Sequence, residues 1–84
     1  MRRLAVICVI LDDPDNNQKE FNDVVSSFKS IVLSRTGMPF EEGIAAISLM
    51  VRGSLDDINA FTGRIGAIQN VQVKTAISKY EFED

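Results

Sequence analysis

Two stretches, Leu4 to Leu11 and Ile44 to Val51, are almost wholly apolar and read as β-strands. Side chains alternate between the two faces of a strand, so each run presents two hydrophobic sets. In the first run they are Leu4, Val6, Cys8, Ile10 and Ala5, Ile7, Val9, Leu11. In the second they are Ala45, Ile47, Leu49, Val51 and Ile44, Ala46, Ser48, Met50. Both faces of these strands need cover from water. A chain of 84 residues can cover one face with its own helices but lacks material for the other. Association is therefore the first expectation, ahead of any chemistry.

Hydrophobic residues at 45% and charged residues at 25% fit a folded chain, here a single small domain over residues 1–84. The net charge is −3, and the nine lysines and arginines are scattered apart from Arg2 and Arg3. A nucleic-acid-binding domain carries a basic surplus, so direct nucleic-acid binding is not expected. The one cysteine, Cys8, has no intrachain partner. Inside an apolar strand it reads as a small buried hydrophobe, and an unpaired thiol suits a reducing cytoplasm. Arg2 and Arg3 before an apolar run look like the start of a secretory signal. The run instead ends in Asp12-Asp13-Pro14-Asp15, has no small-x-small cleavage site and is too short to span a bilayer. The expectation is a soluble, cytoplasmic protein with no membrane partner.

The remaining elements follow from periodicity. Asp12 to Asn17 turns the chain, and Asn17 with Glu20 fits an N-cap pairing, with Asp15 and Asn16 as competitors. Phe21, Val24, Val25 and Phe28 recur at helical spacing, and the helix is expected to stop near Phe28, before the β-branched Ile31-Val32-Leu33. A second strand is read over Ser30 to Met38. Met38 to Gly43 forms the hairpin, where Pro39 cannot donate to a ladder and Gly43 tolerates positive φ. A third strand covers Ile44 to Arg52. Ser54 and Asp57 then make an S-x-x-D cap for a second helix with the stripe Leu55, Ile58, Phe61, Ile65, Ile68. Gly63 and Gly66 inside it point either to close packing or to an early end. Asn70 turns the chain into a fourth strand, Val71 to Ser78. Residues 79–84 are charged and read as a frayed tail, which Tyr80 and Phe82 would extend as strand.

The order β-α-β-β-α-β predicts an α+β, ferredoxin-like fold. It has a four-stranded antiparallel sheet of order 4-1-3-2 with two helices on one face. The first and third strands are then central, and these are the two apolar runs. On the third strand Ala45, Ile47, Leu49 and Val51 form the helix-covered set, leaving Ala46, Ser48, Met50 and Arg52 outside. The outer set of the fourth strand is Gln72, Lys74, Ala76 and Ser78. Such a face is too apolar for water and too polar for a core, so it is expected to pack on another subunit across a two-fold axis. Ser48, Met50, Gln72 and Lys74 are the candidate interface residues. The sequence leaves open which set of the first strand joins them.

Catalytic equipment is sparse. There is no histidine, hence neither the usual general acid or base nor the commonest metal ligand, and one cysteine cannot build a Cys/His metal site. The pairs Asp12-Asp13, Glu41-Glu42 and Asp56-Asp57 fall at turns or helix starts, where solvent and the helix dipole favour acids. Asp12, Asp13 and Asp15 lack the spacing of a calcium loop. Gly63-Arg64-Ile65-Gly66 falls late in a helix and so is not a phosphate loop. Arg35 and Arg52, on neighbouring strands, are a candidate anion contact if they share a face. No metal, cofactor or catalytic residue is expected.

The run Leu33-Ser34-Arg35-Thr36-Gly37-Met38-Pro39, the strand Ile44 to Val51, the segment Ile58 to Gly66 and Val71-Gln72-Val73-Lys74-Thr75 together resemble the family of iron-only hydrogenase system regulators. The resemblance spans nearly the whole chain, and Met38 stands where an aromatic residue can occur. It implies an ACT-like fold related to the ligand-binding half of nickel-responsive repressors, in bacteria that make iron-only hydrogenase. Neither ligand carries over. The repressor's nickel site needs histidines and a cysteine, and effector-binding ACT domains place a glycine in the turn held here by Asp12-Asp13-Pro14-Asp15.

The resulting expectation is a non-catalytic regulatory or interaction module. It self-associates as a homodimer or higher oligomer and has a protein of the hydrogenase system as a candidate partner. The alternative is a sensor that binds an amino acid or other anion between subunits, through Arg35, Arg52 or the Asp12 to Asn16 turn.

Overall fold

The computed structural model describes residues 1–39 and 42–83. The elements are β1 (Arg2–Leu11), α1 (Pro14–Ser27), β2 (Val32–Pro39), β3 (Ala45–Gly53), α2 (Leu55–Gly66) and β4 (Val71–Phe82). All neighbouring strands are antiparallel, in the order β2-β3-β1-β4. This is the expected 4-1-3-2 sheet read from the other edge. The two apolar runs occupy its centre.

The helix-covered face takes Ala5, Ile7, Val9 and Leu11 from β1 and Ile47, Leu49 and Val51 from β3, all buried. Phe21, Val24 and Val25 of α1 close over them, with Ile58, Phe61 and Ile65 of α2 and Ile68 just beyond it. The rings of Phe28 and Phe61 stack with centroids 4.7 Å apart, joining the two helices. Leu55 is the exception to the expected stripe, at 39% exposure. At about 100° per residue it falls well to one side of the arc shared by Ile58, Phe61, Ile65 and Ile68.

The start of α1 departs from expectation. Asp13 is the N-cap and Pro14 opens the helix, so the helix begins ahead of Asn17. Proline is preorganised for the first helical position, where its missing N–H costs nothing. Asn17 is instead buried, and its Nδ2 donates to the Gln69 carbonyl at 3.0 Å and to that of Asn70 at 3.3 Å. The N-cap of α2 is as read, with Ser54 Oγ accepting from the Asp57 amide at 3.0 Å. Asn70 turns the chain with φ of 64°, and Gly43 has φ of 78°. Phe40 and Glu41 of the expected Met38 to Gly43 hairpin lie outside the described residues, as does Asp84.

The tail expected to fray is largely strand. β4 continues to Phe82, with Arg3 opposite Glu81 and Arg2 opposite Phe82. Three contacts hold it in place. Arg3 pairs with Glu81 at 2.9 Å, the Arg52 guanidinium lies 4.7 Å from the Phe82 ring centroid, and Tyr80 meets Phe82 edge to face. A register shift between Arg3 and Ala5 admits this extension. There the Leu4 amide donates to Ser78 Oγ at 3.2 Å, and Ser78 Oγ donates to the Tyr80 carbonyl at 3.0 Å.

Candidate functional site

The face of the sheet away from the helices carries the second apolar set of each central strand. Register settles which set of β1 lies there. Val6 is opposite Met50 and Ala76, Cys8 opposite Ser48 and Lys74, and Ile10 opposite Ala46 and Gln72. From β2, Thr36 is opposite Ser48 and Met38 opposite Ala46. Two rows thus cross all four strands: Thr36-Ser48-Cys8-Lys74 and Met38-Ala46-Ile10-Gln72. The expected interface residues Ser48, Met50, Gln72 and Lys74 are brought onto one face. Leu4, Val6, Cys8 and Ile10 join them.

Cys8 corrects the sequence expectation, for it is exposed rather than buried. Its parity follows Ile10, not Ile7 and Val9, so the helices never reach it. The large apolar residues on this face are unusually open, with Ile10 at 39%, Met50 at 40% and Met38 at 59% exposure. Together the two rows line a shallow trough of about 370 Å³. One end is capped by Gln72, whose Nε2 donates to an Asp12 carboxylate oxygen at 2.9 Å.

Among the described residues, the charged side chains at the paired positions of this face are Arg2, Arg52 and Lys74, and the Asp12 carboxylate stands at the trough's end against Gln72. The Arg52 guanidinium rests on Phe82, and its Nε is buried without a hydrogen-bond partner among the described residues. Lys74 Nζ has neither ion pair nor hydrogen bond among the described residues.

Arg35 and Arg52 do not converge. Arg52 is opposite Leu4 and faces outward, whereas Arg35 is opposite the buried Leu49 and faces the helices. There Arg35 Nη2 donates to Asn22 Oδ1 at 2.7 Å, and the guanidinium stands 5.3 Å from the Phe21 centroid. Strand alternation turns two adjacent-strand arginines to opposite faces, so the shared anion contact is absent. The Asp12 to Asn16 turn is spent on starting α1: the amides of Asn16 and Asn17 donate to the Asp13 carbonyl, and Asn16 Nδ2 donates to Asp13 Oδ2. Sequence reading missed Cys8, Ile10, Thr36 and Met38 as lining residues. Cys8 and Thr36 are in register with Ser48 and Lys74, and Ile10 and Met38 with Ala46 and Gln72, a signal that needs the strand pairing. No group of three or more potential metal-ligating residues occurs among the described residues. No helix among them is long and apolar enough to cross a membrane.

This architecture has known counterparts. The uncharacterized protein TM1266 from Thermotoga maritima superposes with a TM-score of 0.89 at 30% identity, over 94% of this chain and 100% of that one. The ACT domain of GTP pyrophosphokinase from Chlorobium tepidum shares the fold, with a TM-score of 0.76 at 19% identity over 90% of this chain and 100% of that domain. A protein from Galdieria sulphuraria follows at 0.67 and 16% identity, over 100% of this chain and 49% of that one. No curated protein matches the sequence. With residues 3–75 matching the family and the Thermotoga fold reproduced over nearly the whole chain, this protein belongs to the TM1266-like family of iron-only hydrogenase system regulators.

Proposed function

We propose that the chain is a non-catalytic regulatory module of the iron-only hydrogenase system, working in the bacterial cytoplasm by self-association through the outer face of its sheet. The observation that carries this is the apolar centre of that face, where Ile10 and Met50 stay open although they sit on the two middle strands. Removing each of these side chains fully from water contributes on the order of 1 kcal/mol, and a second copy supplies a matching surface without any further chain. Family membership supports the regulatory role and the hydrogenase context. A protein of that system is the natural recipient of the signal. Neither DNA nor a membrane is a direct partner in this reading. Sedimentation across a micromolar concentration series tests it. A concentration-dependent dimer, weakened in a Met50→Glu variant, is the expected result; a clean monomer at high micromolar concentration overturns it.

A second reading, a sensor holding a small anion between subunits, is favoured by Lys74, a cation lining the trough that has no ion pair among the described residues. The two readings share one surface.

A further inference from the structure

We propose that the trough on the outer face binds a small apolar monocarboxylate, with its carboxylate on Lys74 Nζ, and that this ligand promotes stacking of two copies through the same face. The proposal rests on the self-association reading and names what regulates it.

The floor is built for an apolar body. Ile10, Ala46 and Met38 form one row, and Cys8 stands between Ser48 and Lys74 in the next. A trough of about 370 Å³ lies at the small end of ligand sites, room for a short aliphatic or single-ring compound. Polar groups are few and placed to one side. Lys74 offers a positive charge, and the Ser48 and Thr36 hydroxyls stand in its row. Gln72 donates to the Asp12 carboxylate at the end of the second row, and that negative charge repels an anion there. The carboxylate is thereby directed to Lys74 and the tail to Ile10, Ala46 and Met38. A single ammonium matches a monoanion rather than a phosphate dianion. Among the described residues no carboxylate stands at the paired outer positions beside Lys74 to hold the ammonium of an amino acid.

Coupling to assembly follows from desolvation. Covering this face with a second apolar face strips water from Lys74 Nζ, which has no acceptor in its own chain among the described residues. A charge buried without a partner opposes association strongly. A bound carboxylate neutralises it and fills the trough, so the liganded faces stack where the empty ones resist. Ligand and second copy then reinforce each other by the same factor.

The test uses octanoate, 1-octanol and acetate as probes, with sedimentation of the full chain and amide chemical shifts read together. Octanoate is expected to shift the amides of Cys8, Ile10 and Ser48 and to lower the protein concentration of half-dimerisation about tenfold. Octanol, which has the tail without the charge, and acetate, which has the charge without the tail, are expected to do neither. Lys74 is exposed, so its substitution leaves the core intact. Lys74→Gln should abolish the octanoate response and dimerise more readily than the parent without ligand, while Lys74→Arg retains the response. Octanol acting as well as octanoate, or Lys74→Gln still responding, overturns the proposal. A dimer indifferent to octanoate overturns it while leaving self-association standing. A monomer under every condition overturns both.

Discussion

Asn17 Nδ2 donates to the backbone carbonyl of Gln69 at 3.0 Å, tying the first turn of α1 to the loop that leads into β4. The same loop is held from the other side, where the Asp12 amide donates to the Asn70 carbonyl at 2.9 Å. The start of the first crossover and the end of the second thus meet at one point. Asn17→Ala removes the buried donor and strands the Gln69 carbonyl, for an expected loss of about 1–2 kcal/mol in urea denaturation. An unchanged midpoint would show that the contact is dispensable.

Two helix glycines should respond oppositely to alanine. A Cβ on Gly63 meets nothing within 4 Å, whereas one on Gly66 comes within 3.3 Å of Val73 Cγ1. Gly63→Ala should stabilise by about 0.5–1 kcal/mol through helix propensity. Gly66→Ala should gain less or lose stability, because β4 approaches the helix end there. Thermal melts of the two variants side by side decide the matter. Equal gains would mean that Val73 yields freely.

The accessibility of Cys8 is open to direct measurement. At low protein concentration a maleimide should label the native thiol to completion without denaturant, since the residue is exposed. At high concentration, where the proposed dimer covers the outer face, labelling should slow. A thiol that reacts only in urea would place Cys8 in the core after all.

The end of β4 should contribute modestly. Phe82→Ala removes the ring beneath the Arg52 guanidinium, and the expected loss is about 0.5–1 kcal/mol, of the size measured for exposed cation–π pairs. Faster amide exchange confined to Glu81 and position 82 and their β1 partners Arg3 and Arg2 would accompany it. Uniformly faster exchange across β1 would contradict an end-local role.

Much of the fold was legible because local rules and the long-range arrangement agree. Ser54 caps α2 through a hydrogen bond between residues three apart, and the stripe from Ile58 to Ile65 needs only the helical period. Asn17 failed as a cap candidate for an equally local reason: Pro14 offered an earlier start, and the amide was required elsewhere by Gln69, far away in sequence. The β4 extension was obscured by charge. Lys79, Glu81 and Glu83 look like a solvated tail until Arg3, Phe82 and Arg52 are seen to be neighbours.

By itself the sequence determined the element order, the central place of the two apolar strands and the surplus of hydrophobic surface. Those depend on the alternation of side chains along one strand and on chain length. Only the tertiary structure decided where the surplus lies. A strand apolar on both faces carries no mark of which set meets the helices, and register with β3 and β4 puts Ile7 and Val9 inside while Cys8 and Ile10 go outside beside Lys74. The same pairing sent Arg35 to the helix side and Arg52 outward, parting two residues that lie on adjacent strands. Pairing between distant segments is set by the packing of the whole sheet, which no local pattern in the chain records.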